Sequence, residues 1–286
     1  MRYEEFVCGI ERYEQMHEYE ERSAPWSYLK TIEKIGDVRK NFLLGRVEDN
    51  TLRLKEIIRP FLAHWGNVGR VVEQATDRDW ETLMVMLWNL DAKRQFERLM
   101  EKVGDTMIRR ELMTIDFDEE QEVANAVRTI FGKVQLVPHL GDPICISIIL
   151  HILNPYFFAM WDSEIRRIYK EKWGFLISET AEGYLEFLTA VKTELKEALG
   201  DYYIHAAMIK SYVELTDGKK LEALERAEWA CESCGCRLGL CIDPVPHCPY
   251  PEVRVLCHKC KLLSDHENKS LVKLVDEYNW SVVHNK

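Results

Sequence analysis

Four cysteines carry the clearest chemistry in the chain. Cys231-Glu-Ser-Cys234 and Cys257-His-Lys-Cys260 are two C-x2-C knuckles separated by 22 residues. Each knuckle sets two thiolates on one tight turn, and four thiolates complete a tetrahedron around zinc. Gly235, directly after the first knuckle, suits such a turn because glycine tolerates positive φ. Seven of the nine cysteines fall between positions 231 and 260, a clustering that favours metal over disulfides in a reducing compartment. Cys236, Cys241, Cys248, His247 and His258 leave the ligand list open. The expectation is a structural zinc ion held by Cys231, Cys234, Cys257 and Cys260, with a 4Fe–4S cluster as the alternative.

A second set of residues lies in the middle of the chain. Val137-Pro-His-Leu-Gly141 reads as a turn, followed by Asp142 at an N-cap position and Pro143 at the first helical position. An apolar helix runs to about Leu153, and Asn154-Pro155 stops it. An extended apolar link then leads to Asp162, immediately before another helix. Asp is a favoured helix cap, the plain structural reading of Asp162. Trp161 and the pair His64-Trp65 read most simply as core packing. Arg166 can meet a phosphate or simply face solvent.

The elements that position these groups read as helices through the first 220 residues or so. Ile57, Ile58, Phe61 and Leu62 keep helical spacing, as do Leu83, Met84, Leu87 and Trp88, then Phe96, Leu99 and Met100. Asp118 to Phe131 opens with acidic residues, as a helix N-terminus prefers. Leu185, Leu188, Val191, Leu195 and Leu199 form a stripe opened by Ser178-Glu-Thr. A further helix is expected from Tyr202 to Leu215. β-branched alternation is scarce before position 240, which argues against a large sheet. Two parts follow: an all-α body, residues 1–220, and a Cys-rich module with a terminal helix, residues 221–286.

With 286 residues and 47% apolar content, the chain can bury one large or two modest cores. No apolar run reaches the ~18–20 residues that span a bilayer. The acidic start, Met1-Arg2-Tyr3-Glu4-Glu5, lacks the apolar core of a signal peptide. A cytoplasmic protein without a membrane partner is expected. The net charge of −10 lacks the basic excess usual for a nucleic-acid binder.

The order turn, buried helix, link, carboxylate, helix resembles the helix-hairpin-helix DNA glycosylase superfamily, which includes endonuclease III. There the hairpin reads roughly Leu-Pro-Gly-Val-Gly, and a catalytic aspartate opens a helix some twenty residues later. Val137 to Gly141 matches the hairpin, Asp162 falls at the aspartate's place, and Cys145 takes that of a small residue at the helix–helix contact. His139 replaces the first hairpin glycine, and Pro143 stands where bifunctional members carry a nucleophilic lysine. The resemblance implies a monofunctional glycosylase that flips a damaged, mismatched or deliberately modified base, such as one in a phage genome, out of double-stranded DNA. His139, Leu140, Gly141 and Arg166 would meet the DNA, with hairpin N–H groups binding phosphate without basic side chains. Asp162 would be catalytic and His64, Trp65 and Trp161 would line the base pocket. The expected form is a monomer associated with the nucleoid.

The cysteine stretch also resembles an HNH or treble-clef module. Pro244 stands where that nuclease needs a histidine after Asp243, and Lys261 where another is usual, which leaves His247 or His266 as substitutes. A silent DNA-binding adaptor and an HNH-type nuclease are therefore the competing functions. Elemental analysis is expected to find zinc with no visible absorption, and chelation to unfold the module; a brown protein absorbing near 400 nm would mean an iron–sulfur cluster instead.

Overall fold

The computed structural model describes residues 3–24, 27–36, 38, 50–64, 68–88, 100–103, 106–109, 111–174, 178–199, 203–204, 229–230, 237–240, 262–263, 266 and 269–284. Trp65 and all four knuckle cysteines lie outside the described residues. The described helices are α1 (Tyr3–Ser23), α2 (Tyr28–Lys34), α3 (Asn50–His64), α4 (Gly69–Gln74), α5 (Asp77–Trp88), α6 (Gln121–Val134), α7 (Pro143–Leu153), α8 (Ser163–Trp173), α9 (Ala181–Leu199) and α10 (Leu271–Val283). The protein is thus mostly helical. Among the described residues, no helix is long and apolar enough to cross a membrane.

Helix α7 is the centre of the body because its sequence leaves it no polar face. Every residue from Cys145 to Leu153 is buried, the mark of a helix surrounded by others. α3 and α6 pack against it. Asp142 caps its start, accepting from the backbone N–H of Ile144 at 2.9 Å and Cys145 at 3.2 Å, and Pro143 takes the first helical position. Both features agree with the sequence pattern. α6 begins at Gln121, later than Asp118, because Asp116 folds the preceding segment into a turn. Its side chain accepts from the N–H groups of Asp118 and Glu119.

Two helix expectations are corrected. Met100 begins strand β1 (Met100–Val103), which pairs antiparallel with β2 (Thr106–Arg109) in a register that sets Val103 opposite Thr106. Tyr203 and Ile204 form β3 (Tyr203–Ile204), parallel to β5 (Arg237–Leu240), and β5 also pairs antiparallel with β4 (Trp229–Ala230). Tyr and Ile fit a strand once a partner strand is present. That partner lies more than thirty residues away, so local spacing could not reveal it.

The chain groups into two compact units, residues 1–7 with 194–271, and residues 8–193 with 272–286. The terminal helix, set with the cysteine module by sequence, groups with the larger unit. Its Asn279 Nδ2 donates to Tyr169 Oη of α8 at 3.2 Å. Its Lys273 ammonium lies 5.1 Å and 5.0 Å from the ring centres of Tyr13 and Tyr28. Lys273 is fully buried and pairs with Asp276 at 2.8 Å, which keeps the desolvated charge compensated.

The turn before α7 is unusual. His139 has φ +57°, the only non-glycine residue in the left-handed region among the described residues; histidine enters this region more readily than most residue types. At Gly141 a Cβ would lie 2.7 Å from the Val137 carbonyl oxygen, so the turn closes too tightly for any side chain there. His139 Nδ1 reaches Asp79 Oδ2 at 3.1 Å. That same oxygen accepts from Thr76 N at 2.7 Å and Thr76 Oγ1 at 2.8 Å. Thr76 and Asp79 are thus a capping box at the start of α5, which extends to the turn through His139.

Burial alone would raise the Asp79 pKa, but the two Thr76 hydrogen bonds and His139 outweigh it and hold the carboxyl below its ordinary range. A depressed folded-state pKa adds stability that is complete above the unfolded value and is lost as pH falls through the folded one. Asp79→Ala is therefore expected to cost about 1–2 kcal/mol near neutral pH. Melting temperatures of the two proteins should converge as pH drops below about 4; a gap that stays constant to pH 2 would show that the charge contributes nothing.

Candidate active site around Asp162

Asp162 is positioned by the residue before it. Trp161 donates its ring N–H to the Pro143 carbonyl at 3.0 Å and its backbone N–H to Ser147 Oγ at 3.1 Å. Ser147 in turn donates to the Ile144 carbonyl at 2.7 Å. The link from α7 to α8 is thereby folded back onto the first turn of α7. Its middle is held as well: His151 Nδ1 donates to the Phe158 carbonyl at 2.6 Å, which leaves Nε2 to accept from Tyr28 Oη at 3.0 Å. The Trp161 ring sits edge-on to Phe131 and Tyr184, at 5.9 Å and 5.1 Å between centres. Tyr184 Oη donates to the Ala159 carbonyl at 2.7 Å.

Asp162 itself caps α8. Its backbone is extended, and Oδ1 accepts from the Ile165 N–H at 2.7 Å. The carboxylate is half-buried, and Oδ2 has no hydrogen-bond partner among the described residues. The side chain also lines an open pocket of about 180 Å³, together with Ile144, Ile165, Trp280, Val283 and His284. Ile144 belongs to the first turn of α7. For scale, a cavity of about 150 Å³ suffices to bind benzene. Asp162 is therefore both a cap and a pocket residue: one oxygen is engaged and the other is open.

The expected DNA-contacting residues divide. Leu140 is fully buried, and its N–H donates to the Pro138 carbonyl at 2.6 Å. The Gly141 N–H donates to the Val137 carbonyl at 2.8 Å. Neither amide is open to a phosphate. The backbone N–H groups of His139 and Asp142 have no partner among the described residues, and the His139 side chain is exposed. Arg166 is held by Glu179, with Nη1 to Oε1 at 2.6 Å, and its guanidinium lies 5.3 Å from the Trp161 ring centre. Its side chain is only 15% exposed, which leaves it positioning the start of α8 rather than reaching out.

The expected ring-sandwiching residues also move. Trp161 is 1% exposed, with its ring N–H satisfied internally, so it is a core residue that places Asp162 and not a pocket wall. His64 ends α3 and turns back to the Pro60 carbonyl at 2.9 Å; it does not line the Asp162 pocket. Trp65 lies outside the described residues. The aromatic wall is instead Trp280 and His284, whose rings stack at 4.0 Å between centres with 17° between planes. Sequence reasoning passed over them. Their signal is an aromatic pair at i and i+4, one face of a helix, but nothing local ties position 280 to position 162.

At the cysteine module, Ala230 pairs with Arg237. Cys231 and Cys234 lie outside the described residues. Among the described residues, no group of three or more His, Cys, Asp or Glu is placed to hold a metal. The two described cysteines are separate cases: Cys8 is exposed and Cys145 is buried in α7, where burial pushes its thiol far above the ordinary range.

Because one oxygen of Asp162 caps α8, substitutions should separate the two roles. Asp162→Ala is expected to lower stability by about 1 kcal/mol, whereas Asp162→Ser, which retains an acceptor, should stay within a few tenths. Thermal melts check this; equal destabilisation by both would mean that the cap contributes little. Compared with protein-family models, curated proteins and solved structures, the chain finds no match.

Proposed function

We propose that the protein is a monofunctional DNA glycosylase, with Asp162 as the catalytic carboxylate. One observation carries this reading: Asp162, whose Oδ2 has no hydrogen-bond partner among the described residues, lines a pocket of about 180 Å³ together with Ile144 of the first turn of α7. The resemblance of Val137–Gly141 and Asp162 to the helix-hairpin-helix glycosylases supplies the rest.

In this reading the target nucleotide leaves the base stack and its base enters the pocket. The bond between C1′ and the base nitrogen breaks, and its electron pair leaves with the base. Positive charge develops on the sugar, where the Asp162 carboxylate stabilises it. Water adds to C1′ and passes a proton to the carboxylate; that proton returns through solvent to the departing base nitrogen, giving an abasic site, the neutral free base and the restored Asp162 carboxylate. Pro143 offers no amine, so no Schiff base forms at that position and the strand is not cut by that route. The backbone N–H groups of His139 and Asp142 are the proposed phosphate contacts. A zinc ion on Cys231, Cys234, Cys257 and Cys260 would have a structural role, and the partner would be double-stranded DNA.

Excision is tested by counting abasic sites on duplexes carrying damaged, mismatched and modified bases. Asp162→Asn, which retains a capping oxygen, should lower the excision rate roughly 10²–10³-fold, the scale of one lost electrostatic contact, with DNA binding retained. Undiminished excision by that variant would remove Asp162 from the mechanism. DNA binding without excision on any duplex would replace the enzyme reading with a silent binding protein.

A further inference from the structure

Arg128 is held by Glu182, Arg166 by Glu179, and Arg167 by Glu164 and Glu171. By contrast, Arg12, Arg59, Arg70 and Arg78 have no ion pair among the described residues, and three of these four stand on α3, α4 and α5. Two of them sit at the corner that holds the His139 turn. His139 Nδ1 reaches Asp79 Oδ2 at 3.1 Å, Asp79 belongs to the first turn of α5, and Arg78 is the residue before it. In the same turn of helix, Asp77 pairs with Lys55 of α3. The hydrogen bond and charge of Lys55, and after them the charge of Arg59, hold the Asp77 carboxyl below its ordinary range. Arg59 therefore faces the same corner from α3. Both carboxylates there are engaged, Asp77 by Lys55 and Asp79 by Thr76 and His139, while the guanidiniums of Arg59 and Arg78 are not. Arg78 is exposed and Arg59 half-buried. Charge points the same way. The chain carries −10, yet residues 50–81 hold five Lys or Arg and five Asp or Glu, so this stretch is neutral and the net negative charge lies elsewhere.

We infer that Arg59 and Arg78 are the side-chain phosphate contacts of a surface, beside the His139 turn, that binds the backbone of double-stranded DNA. The inference takes the identity of the polyanion from the glycosylase reading; its charge argument stands apart from that reading. A guanidinium meets a phosphate through a planar fork of two N–H groups, and an arginine without a carboxylate partner breaks no ion pair to do so. The backbone N–H groups of His139 and Asp142 can position a phosphate but bring no net charge. Arg59 and Arg78 supply the charge that releases counterions from DNA. Contacts of this kind fix register and read no sequence. Arg166, the candidate named from sequence, would first have to leave Glu179 at 2.6 Å and its place beside the Trp161 ring. An acidic protein thus meets DNA through one neutral corner with two uncommitted arginines instead of a broad basic face.

The probe is an unmodified, fluorescently labelled DNA duplex, titrated with full-length protein over a series of salt concentrations and read by anisotropy. Each phosphate contact contributes about −0.9 to the slope of log affinity against log salt. Arg59→Gln and Arg78→Gln should each make that slope shallower by about 0.9, and the double variant by about 1.8. For curves that meet near about 1 M salt, each single change then weakens binding about eightfold at about 0.1 M. Arg59→Lys and Arg78→Lys keep the charge and should restore the slope. Arg12→Gln, which removes an equally unpaired arginine from α1, should leave it unchanged. No binding by the wild type, an unchanged slope in either the Arg59→Gln or the Arg78→Gln variant, or an equal loss in Arg12→Gln would each overturn the inference. The duplex carries no lesion, so binding is read without catalysis and the two failures stay apart. Slopes that change as expected in a protein that excises no base keep the surface and remove the enzyme. Excision by a wild type whose slope the two variants leave unaltered keeps the enzyme and removes the surface.

Discussion

The two hydrogen bonds of Trp161 hold the centre of the molecule in register. Its ring N–H on the Pro143 carbonyl and its backbone N–H on Ser147 Oγ fold the α7–α8 link back onto the start of α7. The backbone bond is buried and the ring bond part-buried, so losing the former would leave an unsatisfied polar group at a cost of about 1–3 kcal/mol. The indole also fills an aromatic cluster with Phe131, Tyr184 and Phe187. Asp162 follows directly, and its position beside Ile144 is a consequence of that anchor. A capping carboxylate that would otherwise sit anywhere along a helix bundle is brought to line a pocket with the first turn of α7.

The turn illustrates how an acidic protein can hold open amides without basic side chains. The Leu140 and Gly141 amides close the turn on itself, and Asp142 occupies the amides of Ile144 and Cys145. What remains without a partner among the described residues is a pair of backbone N–H groups, those of His139 and Asp142. His139 is held in its left-handed conformation by the contact with Asp79, so the capping box of α5 and the turn before α7 stabilise one another. This coupling joins elements sixty residues apart through one carboxylate oxygen.

The terminal helix is integrated through polar as well as apolar contacts. Lys273 sits fully buried against Tyr13 and Tyr28 with Asp276 as its partner, and Gly9 lets α1 approach so closely that a Cβ there would lie 2.5 Å from Tyr278. A buried ion pair adds little net stability but penalises any alternative packing that would break it. That rigidity presents Trp280 and His284 to the pocket in fixed orientation.

Local patterns in the sequence determined most of the helical body. The start of α7 at Asp142-Pro143, its stop at Asn154, the cap at Asp162 and the α9 stripe follow from capping chemistry and 3.6-residue spacing, and each depends on residues within one helix turn of it. The C-x2-C spacing is also plain in the sequence, but its four cysteines lie outside the described residues. The tertiary structure alone decided which side chains share a site. Trp161, an equal candidate for a pocket wall by composition, is consumed by the core. Arg166 is held by Glu179, and Trp280 and His284, more than a hundred residues from Asp162, line its pocket. Strand pairing at Met100 and Tyr203 was likewise hidden. Helix periodicity is a local property that a sequence displays, whereas burial, pairing and pocket membership depend on partners that only the folded chain brings together.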